Sequence, residues 1–479
     1  CYIDFAARYK RMQGFNVLFP QGWDCHGFPT EVKVEKKWGR NLTREEFRKK
    51  CLEWTGEMVP NIKAQMRQMA FSIDWKHEYY TTSKEYHRYV QVSLLRMFKD
   101  KLVYHDAHPV LWCVNCASAI TKAETEEVEK QTNLNYLKFD NNGKIFLIAT
   151  TRPELLHACV AIAVNPQDER FKGLVGKQIT TPHFKRKVKL VADDAVDPSF
   201  GTGAVMICTY GDKQDVLWYH KHKLDRIEAM DERGILKNAG ELTGEHVFKA
   251  QAKILEILKT ENLMEKQEMG NRIIKVHDRC KKPIELLDSK QWFIRVKDFK
   301  EDILRASKQA KWTPESSQQH LIDWTNGLEW DWVISRQRVF GIPLPFYYCE
   351  KCSEVYTPSE KQLPIDPATQ DYEKKCKCTG KIVGEKSICD GWVDSSITAL
   401  YVSKWLDDEK FFKKAYPMSL RPQGSDIIRT WAFYSIFRCE KLTGKSPFKN
   451  ILVNGMVCGS DGKKMSKSIG NYVEAKEVI

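Results

Sequence analysis

The stretch Phe15-Asn-Val-Leu-Phe-Pro-Gln-Gly-Trp-Asp-Cys-His-Gly27 predicts how this chain begins its fold. An amphipathic pattern over residues 2–12, with basic residues towards its end, predicts a helix that stops at Gly14. The apolar residues 15–19 then predict a short buried strand, and Pro20 and two glycines frame the turn that follows. In open α/β sheets, ligands bind beyond the carboxyl ends of strands. Asp24 is therefore a candidate ligand for an ammonium group, and an ordinary turn residue is the alternative.

The length and composition are those of a large globular chain. Its 479 residues suffice for about two to four domains, and no apolar run is long enough to predict a membrane span. The net charge of +13 moderately favours a polyanionic partner. An odd count of 15 cysteines without a signal-like region predicts a reducing, cytoplasmic compartment. Because the chain starts at Cys1, we expect it to be an interior part of a longer protein.

A second informative stretch, Asp461-Gly-Lys-Lys-Met-Ser-Lys-Ser-Ile-Gly-Asn471, follows an apolar run over residues 450–457 that predicts a short strand. Its ammonium and hydroxyl groups suit a polyphosphate whose charge grows during a reaction, and a solvated basic turn is the alternative. Upstream, Gly424-Ser-Asp426 precedes a helical pattern. Glycine there permits the close approach of a nucleoside, and the aspartate can accept hydrogen bonds from ribose hydroxyls.

Closely spaced cysteines indicate zinc. Cys113 and Cys116 share their two-residue spacing with His277 and Cys280, and together they would form a tetrahedral Cys3His set. A thioredoxin-type redox motif is the alternative interpretation of Trp112-Cys-Val-Asn-Cys116. A second set combines a C-x-x-C pair with a C-x-C pair, whose spacing is less typical of zinc sites. Cys389 is a further candidate ligand. The predicted ligands of this second set are Cys349, Cys352, Cys376 and Cys378.

A long segment with a different sequence pattern lies between the two halves of the first set. In this segment short β-like runs alternate with Gly, Pro and Asp turns. This pattern predicts a separate β-rich domain over residues 131–283. A single ion at the base of such an insertion would fix it to its parent domain.

Several of these stretches resemble the class I aminoacyl-tRNA synthetases. Lys464-Met-Ser-Lys-Ser468 is similar to their signature loop, and residues 7–27 resemble the first Rossmann half of the valyl, isoleucyl and leucyl group. The resemblance implies an α/β fold: a Rossmann-like parallel sheet over residues 1–130 and 284–479, split by the β-rich domain, with a zinc knuckle at about 346–385. It also implies that the HIGH motif of the family lies upstream of Cys1, so we expect the chain alone to be inactive in aminoacylation.

The resemblance assigns roles to individual residues. Asp24 would bind the α-ammonium group of the amino acid, and Trp392 would form a wall against its side chain. ATP, with Mg²⁺, would bind to Gly424, Asp426, Met465, Ser466 and Lys467. The two lysines Lys464 and Lys467 would stabilise the pyrophosphate.

The inserted domain resembles the editing domain of the same enzymes. The resemblance places the hydrolysis of a wrongly charged amino acid at Thr150, Thr151, Arg152, Asp212 and Asp215. A lysine that bacterial valyl enzymes carry shortly after Gly-Thr-Gly-Ala is replaced here by Met206.

Stretches such as Gly424-Ser-Asp-Ile-Ile-Arg-Thr-Trp431 resemble the archaeal type of the valyl branch more than the isoleucyl or leucyl branches. The implied partners are valine, ATP and a valine-specific tRNA, with no membrane and a monomeric state. An isoleucyl enzyme, or a zinc-bearing RNA-binding module without activity, is the alternative.

Overall fold

The computed structural model describes residues 2–460, 462, 464, 465, 471 and 473, which form two compact units. The first unit combines the segment that ends at Asp106 with the segment that starts at Gln291, and the second unit is Ala107–Lys290. The strands Val103–Cys113 and Glu285–Ile294 carry the chain from one unit into the other. Among the described residues, no helix combines the length and apolar character that crossing a bilayer requires.

The first unit is an α/β structure built on short parallel strands. Lys311–Thr313, Asn450–Asn454 and Arg421–Gly424 form one parallel sheet in that order, and Pro20–Trp23 pairs in parallel with Asp74–Tyr80. Its helices are Tyr2–Met12, Phe28–Trp38, Arg44–Gln68, Lys84–Lys99, Lys300–Ser307, Ser317–Asn326, Gly391–Ser395, Thr398–Val402, Glu409–Ala415 and Phe433–Thr443. Its other strands are Trp332–Val333, Ser335–Arg336, Tyr347–Cys349, Val355–Tyr356, Ile382–Gly384 and Ile388–Cys389. This architecture confirms the predicted α/β class with a parallel sheet.

One hydrophobic core joins the two sequence segments of the first unit. Helix Lys84–Lys99 begins at Ser83, whose hydroxyl accepts a hydrogen bond from the Tyr86 amide, and its inner face is buried. The residues of this face pack with Phe433 and Phe437 from helix Phe433–Thr443, far away in the sequence. The shared core explains why the two segments fold as one unit around a long insertion.

The second unit is β-rich, as predicted. Seven strands form its sheet: Thr125–Asn141, Lys144–Thr150, Ala161–Val164, Gln178–Thr180, Lys187–Ala192, Ala204–Ile207 and Met264–His277. The first and last of these strands form a long antiparallel ribbon that starts where Thr125 pairs with His277. The short strand Ser118–Ala119 pairs with the end of Val103–Cys113, and the helices are Lys213–His222 and Val247–Thr260.

The prediction of a buried strand over residues 15–19 was wrong. The strand is Pro20–Trp23, and the Phe15 and Leu18 side chains are 59% and 41% exposed. An apolar run becomes a strand only where a neighbouring strand satisfies its backbone. Here pairing begins at the Phe19 carbonyl, which accepts from the Asp74 amide over 2.9 Å. Strand Pro20–Trp23 therefore ends directly before Asp24.

Candidate functional site

Asp24 lies at the carboxyl end of a parallel strand, where α/β sheets bind their ligands. The turn behind it is held by the Cys25 amide, which donates to the Thr81 hydroxyl over 3.0 Å, and by Gly27 with a φ of 91°. Asp24 as a whole residue keeps contact with solvent. Desolvation by the surrounding protein, together with the Asp394 charge, raises the pKa of Asp24 to about 6. A partly desolvated carboxylate in such a cleft suits an ammonium group.

Trp392 is half-buried in helix Gly391–Ser395 and packs against the core of the first unit. Asp390 caps this helix by accepting a hydrogen bond from the Trp392 amide over 3.2 Å. The other Asp390 oxygen accepts from Trp332 Nε1 at 2.8 Å and pairs with Arg336 at 3.0 Å. These contacts fix the start of the helix and with it the position of the indole.

Two side chains that the sequence did not single out link Asp24 with Trp392. His26 Nδ1 lies 2.9 Å from Asp394 Oδ2, and both side chains are buried. Each lies two positions beyond a predicted ligand. In the sequence, Asp394 directly follows the apolar pair Trp392-Val393, and this position next to a candidate ligand is the signal that could have revealed it.

Trp431 is a second indole next to this helix, and sequence reasoning missed it as well. It is half-buried, and its Nε1 donates to the Ser395 carbonyl over 2.9 Å. The Arg421 guanidinium lies over the face of the Trp431 ring. Residues 428–432 form a single π-helical turn, a feature common at functional sites that short-range sequence patterns do not reveal.

The candidate nucleotide residues also lie at a strand end. Gly424 terminates strand Arg421–Gly424, and a Cβ there would approach the Asp426 carboxylate so closely that this side chain would have to move. The Asp426 carboxylate pairs with the Lys464 ammonium group, and the Met465 amide donates to the Val457 carbonyl over 3.0 Å. Gly424, Asp426 and Lys464 are therefore neighbours. The predicted ligands Ser466 and Lys467 lie outside the described residues.

The candidate editing residues of the second unit gather at the end of strand Lys144–Thr150. The Thr150 hydroxyl accepts from the Arg152 amide over 3.0 Å, and the Thr151 carbonyl accepts from the Gln251 side chain over 3.2 Å. The Arg152 guanidinium pairs with Glu154 at 2.5 Å and with both oxygens of Glu285 at 2.9–3.0 Å. This arginine is thus held by two carboxylates of its own unit.

Asp215 lies in the first turn of helix Lys213–His222, which Asp212 caps by accepting from the Asp215 amide over 2.9 Å. The Asp215 carboxylate is buried and accepts from the Cys208 amide over 3.1 Å. Burial, and then the Asp212 charge, raise the pKa of Asp215 to about 8, against the opposing effect of Arg152. An aspartate with so high a pKa next to a cavity is a functional-site candidate.

That cavity has a volume of about 110 Å³ and lies entirely in the second unit. Cys208, Tyr210 and Gly211 line it, and they belong to the loop that carries Asp212. Leu155, Ile227 and Leu286 contribute apolar surface, and Arg226 pairs with Asp288 at 2.7 Å at its edge. The mixture of apolar and charged lining is typical of a pocket for a small polar ligand.

The first candidate metal centre brings together Cys113, Cys116, His277 and Cys280, and their ligand atoms all lie within 4.8 Å of one another. The Cys113 and Cys280 sulfur atoms are 3.5 Å apart, and His277 Nδ1 is 3.4 Å from Cys280 Sγ. A zinc tetrahedron with Zn–S bonds of about 2.3 Å has sulfur–sulfur edges of roughly 3.8 Å. The donor set fits structural zinc, and four converging ligands favour it over a redox dithiol.

The second candidate centre comprises Cys349, Cys352, Cys376 and Cys378, within the same 4.8 Å limit. Its sulfur atoms approach to 3.3–3.5 Å, so the tight C-x-C pair takes part as fully as the C-x-x-C pair. Cys389 lies in a buried strand and belongs to neither cluster of the described residues. The donor set again suits zinc.

All four ligand pairs share one backbone feature. The residue directly after the second ligand of each pair has a positive φ of 49–62°, and these residues are Ala117, Lys281, Ser353 and Thr379. The left-handed conformation turns the chain back so that amides face the sulfur or imidazole ligands. None of the four is glycine, so each of these residues carries backbone strain. The turn geometry at the candidate metal centres requires that strain.

The sequence model of the class I tRNA synthetases for I, L, M and V matches residues 2–479. The chain belongs to this family. Curated relatives include the valine--tRNA ligases of Methanocaldococcus jannaschii (50% identical), Pyrococcus abyssi (49%) and Methanothermobacter thermautotrophicus (48%). Each match covers 100% of this synthetase chain and 55% of the relative. The chain thus spans about half the length of these relatives.

A solved relative has the same fold. It is the LeuRS of Agrobacterium radiobacter K84, crystallised as a ternary complex with tRNA and LeuAMS. The TM-score is 0.51 at 18% sequence identity, and the match covers 99% of this synthetase chain and 64% of the other. The likeness confirms the class I architecture.

Proposed function

We propose that the protein containing this chain ligates valine to its tRNA in two steps. The identity of 48–50% to archaeal valine--tRNA ligases, over the whole chain, carries the proposal. The valine carboxylate attacks the α-phosphate of ATP and releases pyrophosphate. The valyl group then passes from the adenylate to a hydroxyl of the terminal adenosine of the tRNA, and AMP leaves.

In this proposal the first unit carries the adenylate chemistry. Asp24 binds the α-ammonium group, and the half-buried Trp392 lies against the aliphatic side chain. Gly424 and Asp426 accept the nucleoside, while Lys464 turns from Asp426 to the pyrophosphate as its charge develops. Met465, Ser466 and Lys467 are the further ATP ligands of the proposal, and Mg²⁺ accompanies the ATP.

We assign residues 1–130 and 284–479 to the catalytic domain and residues 131–283 to an inserted editing domain. A hydrophobic pocket discriminates poorly against an isostere in which a hydroxyl replaces a methyl group, as valyl enzymes face with threonine. The raised pKa of Asp215, the neighbouring cavity and the buried Thr150 support a site that hydrolyses threonyl-tRNA. Thr151, Arg152 and Asp212 complete the proposed site.

We propose that each cysteine cluster holds one structural zinc ion. The ion at Cys113, Cys116, His277 and Cys280 would fix the base of the long ribbon, because His277 ends strand Met264–His277. The ion at the second cluster would order residues 346–385, where strands are only two or three residues long. We further expect a cytoplasmic monomer.

ATP–pyrophosphate exchange by the full-length gene product tests the proposal. We expect exchange that depends on valine, with isoleucine much less effective. Isoleucine-dependent exchange would support the isoleucyl alternative. Exchange with none of the amino acids, together with RNA binding, would support a non-catalytic zinc module and refute the proposal.

A further inference from the structure

The contact between His26 and Asp394 joins the two sequence segments that carry the proposed amino acid ligands. His26 Nδ1 lies 2.9 Å from Asp394 Oδ2, and the side chains are only 3% and 0% exposed. Asp24 lies two residues before His26, and Trp392 lies two residues before Asp394. A buried polar contact therefore joins the loop of one proposed ligand to the helix of the other.

The surroundings of the pair leave each side chain little freedom. The His26 ring packs edge-on against Phe340 with ring centroids 5.1 Å apart, and it lies 5.5 Å from the His87 ring. The Asp394 carbonyl accepts from the Tyr86 hydroxyl over 2.7 Å. The next carbonyl, of Ser395, accepts from Trp431 Nε1. The loop that carries Asp24 and the helix that carries Trp392 are thus both held at this point.

One oxygen of the Asp394 carboxylate lowers the stability of the fold. Its Oδ1 is buried and has no hydrogen-bond partner among the residues that the structure describes. A buried polar atom without a partner destabilises a protein, so Asp394 Oδ1 does not contribute to the stability of the fold. Such a group calls for a functional explanation.

The charge of Asp394 acts on the proposed ammonium site. It is the leading electrostatic cause, after desolvation, of the raised pKa of Asp24. Two neighbouring carboxyl groups in a partly desolvated cleft repel each other, and a bound cation relieves that repulsion. Burial raises the pKa of Asp394, and a cation bound at Asp24 would oppose that effect by favouring the ionised Asp394 carboxylate.

We propose that Asp394 is a positioning residue for the α-ammonium group of the amino acid. Through the hydrogen bond to His26 it holds the Asp24 loop at a fixed separation from Trp392. Its carboxylate adds negative potential behind Asp24 when the ammonium group is bound. The inference rests on the proposed function, because it specifies how that site recognises an amino acid.

The test compares variants of the full-length enzyme in ATP–pyrophosphate exchange. Asp394→Ala removes both the hydrogen bond and the charge, and Asp394→Asn keeps an acceptor for His26 without the charge. We expect the KM for valine to rise roughly tenfold or more in Asp394→Ala and by less in Asp394→Asn, with the KM for ATP unchanged within about twofold. His26→Asn should also raise the KM for valine selectively.

The chain offers a matched control. His77 Nδ1 lies 2.7 Å from Asp74 Oδ2 in the same unit, but the His77 side chain is 67% exposed. His77→Asn should leave both KM values unchanged, because exposed ion pairs contribute little. Thermal unfolding of every variant separates lost recognition from lost fold. If Asp394→Ala does not fold, Asp394→Asn and His26→Asn decide the question.

Unchanged valine KM in the folded Asp394 variants would overturn the inference, and so would equal rises in the KM for valine and for ATP. The proposed function fails in a different way, through the absence of valine-dependent exchange in the unmodified enzyme.

Discussion

The Lys464 ammonium group forms an ion pair with the Asp426 carboxylate, which joins the lysine-rich loop to the strand end that carries Gly424. Both side chains keep substantial exposure, 58% and 37%. Exposed pairs of this kind contribute only about 0–1 kcal/mol, so in the proposed reaction the phosphates of ATP would displace Asp426 from Lys464. The pair would thereby keep the lysine next to the proposed nucleotide site before ATP arrives.

Replacing Lys464 by alanine should reduce valine-dependent exchange by roughly a hundredfold, because one preorganised cationic donor to the developing pyrophosphate is lost. The measurement is the steady-state exchange rate at saturating ATP. Lys449→Ala, which removes an exposed lysine just before strand Asn450–Asn454, is the control and should behave like the unmodified enzyme. A Lys464→Ala variant with normal exchange would exclude this lysine from the reaction.

The apparent KM for valine should depend on the ionisation of Asp24. Its pKa is raised to about 6, so the carboxylate is present above that pH and is lost as the pH falls through it. At pH 5 only about a tenth of the sites would be ionised, and the KM should be about tenfold higher than at pH 7. Asp24→Asn should show a high KM with no such pH dependence, and an equally steep profile in this variant would disprove the assignment.

Each metal centre should bind one zinc ion and stabilise its own unit. Cys280→Ser should lower the zinc content from two ions to one and lower the melting temperature of the second unit, because three ligands hold zinc more weakly than four. Cys352→Ser should do the same for the first unit. Metal analysis and calorimetry provide the measurements, and Cys458→Ser, an exposed cysteine outside both clusters, is the control. Full zinc content in Cys280→Ser would contradict the proposed ligand set.

Asp215→Asn should abolish the deacylation of threonyl-tRNA and leave valine-dependent exchange intact, since the carboxylate belongs to the second unit. The loss follows from removing the charge that attracts the ammonium group of threonine. Release of labelled threonine from charged tRNA measures it, and the exposed Asp194→Asn is the matched control. Deacylation at the normal rate in Asp215→Asn would move the editing site elsewhere.

Local patterns predicted the features that depend on neighbours in the sequence. The segment between the two halves of the first candidate zinc set is β-rich, and both sets of candidate zinc ligands converge. The strand at residues 15–19 was misplaced, because an apolar run does not reveal where its hydrogen-bonding partner begins.

By itself, the sequence determined the α/β class, the β-rich insertion, the family and the two candidate metal clusters, because periodicity and short spacings record local geometry. Only the tertiary structure decided which distant side chains meet. It brought His26 to Asp394 across 368 positions and placed the Arg421 guanidinium on Trp431. It also paired the Glu285 carboxylate with the Arg152 guanidinium. Such contacts depend on how whole elements pack around a shared core, and the residue type at one position carries no record of its partner far along the chain.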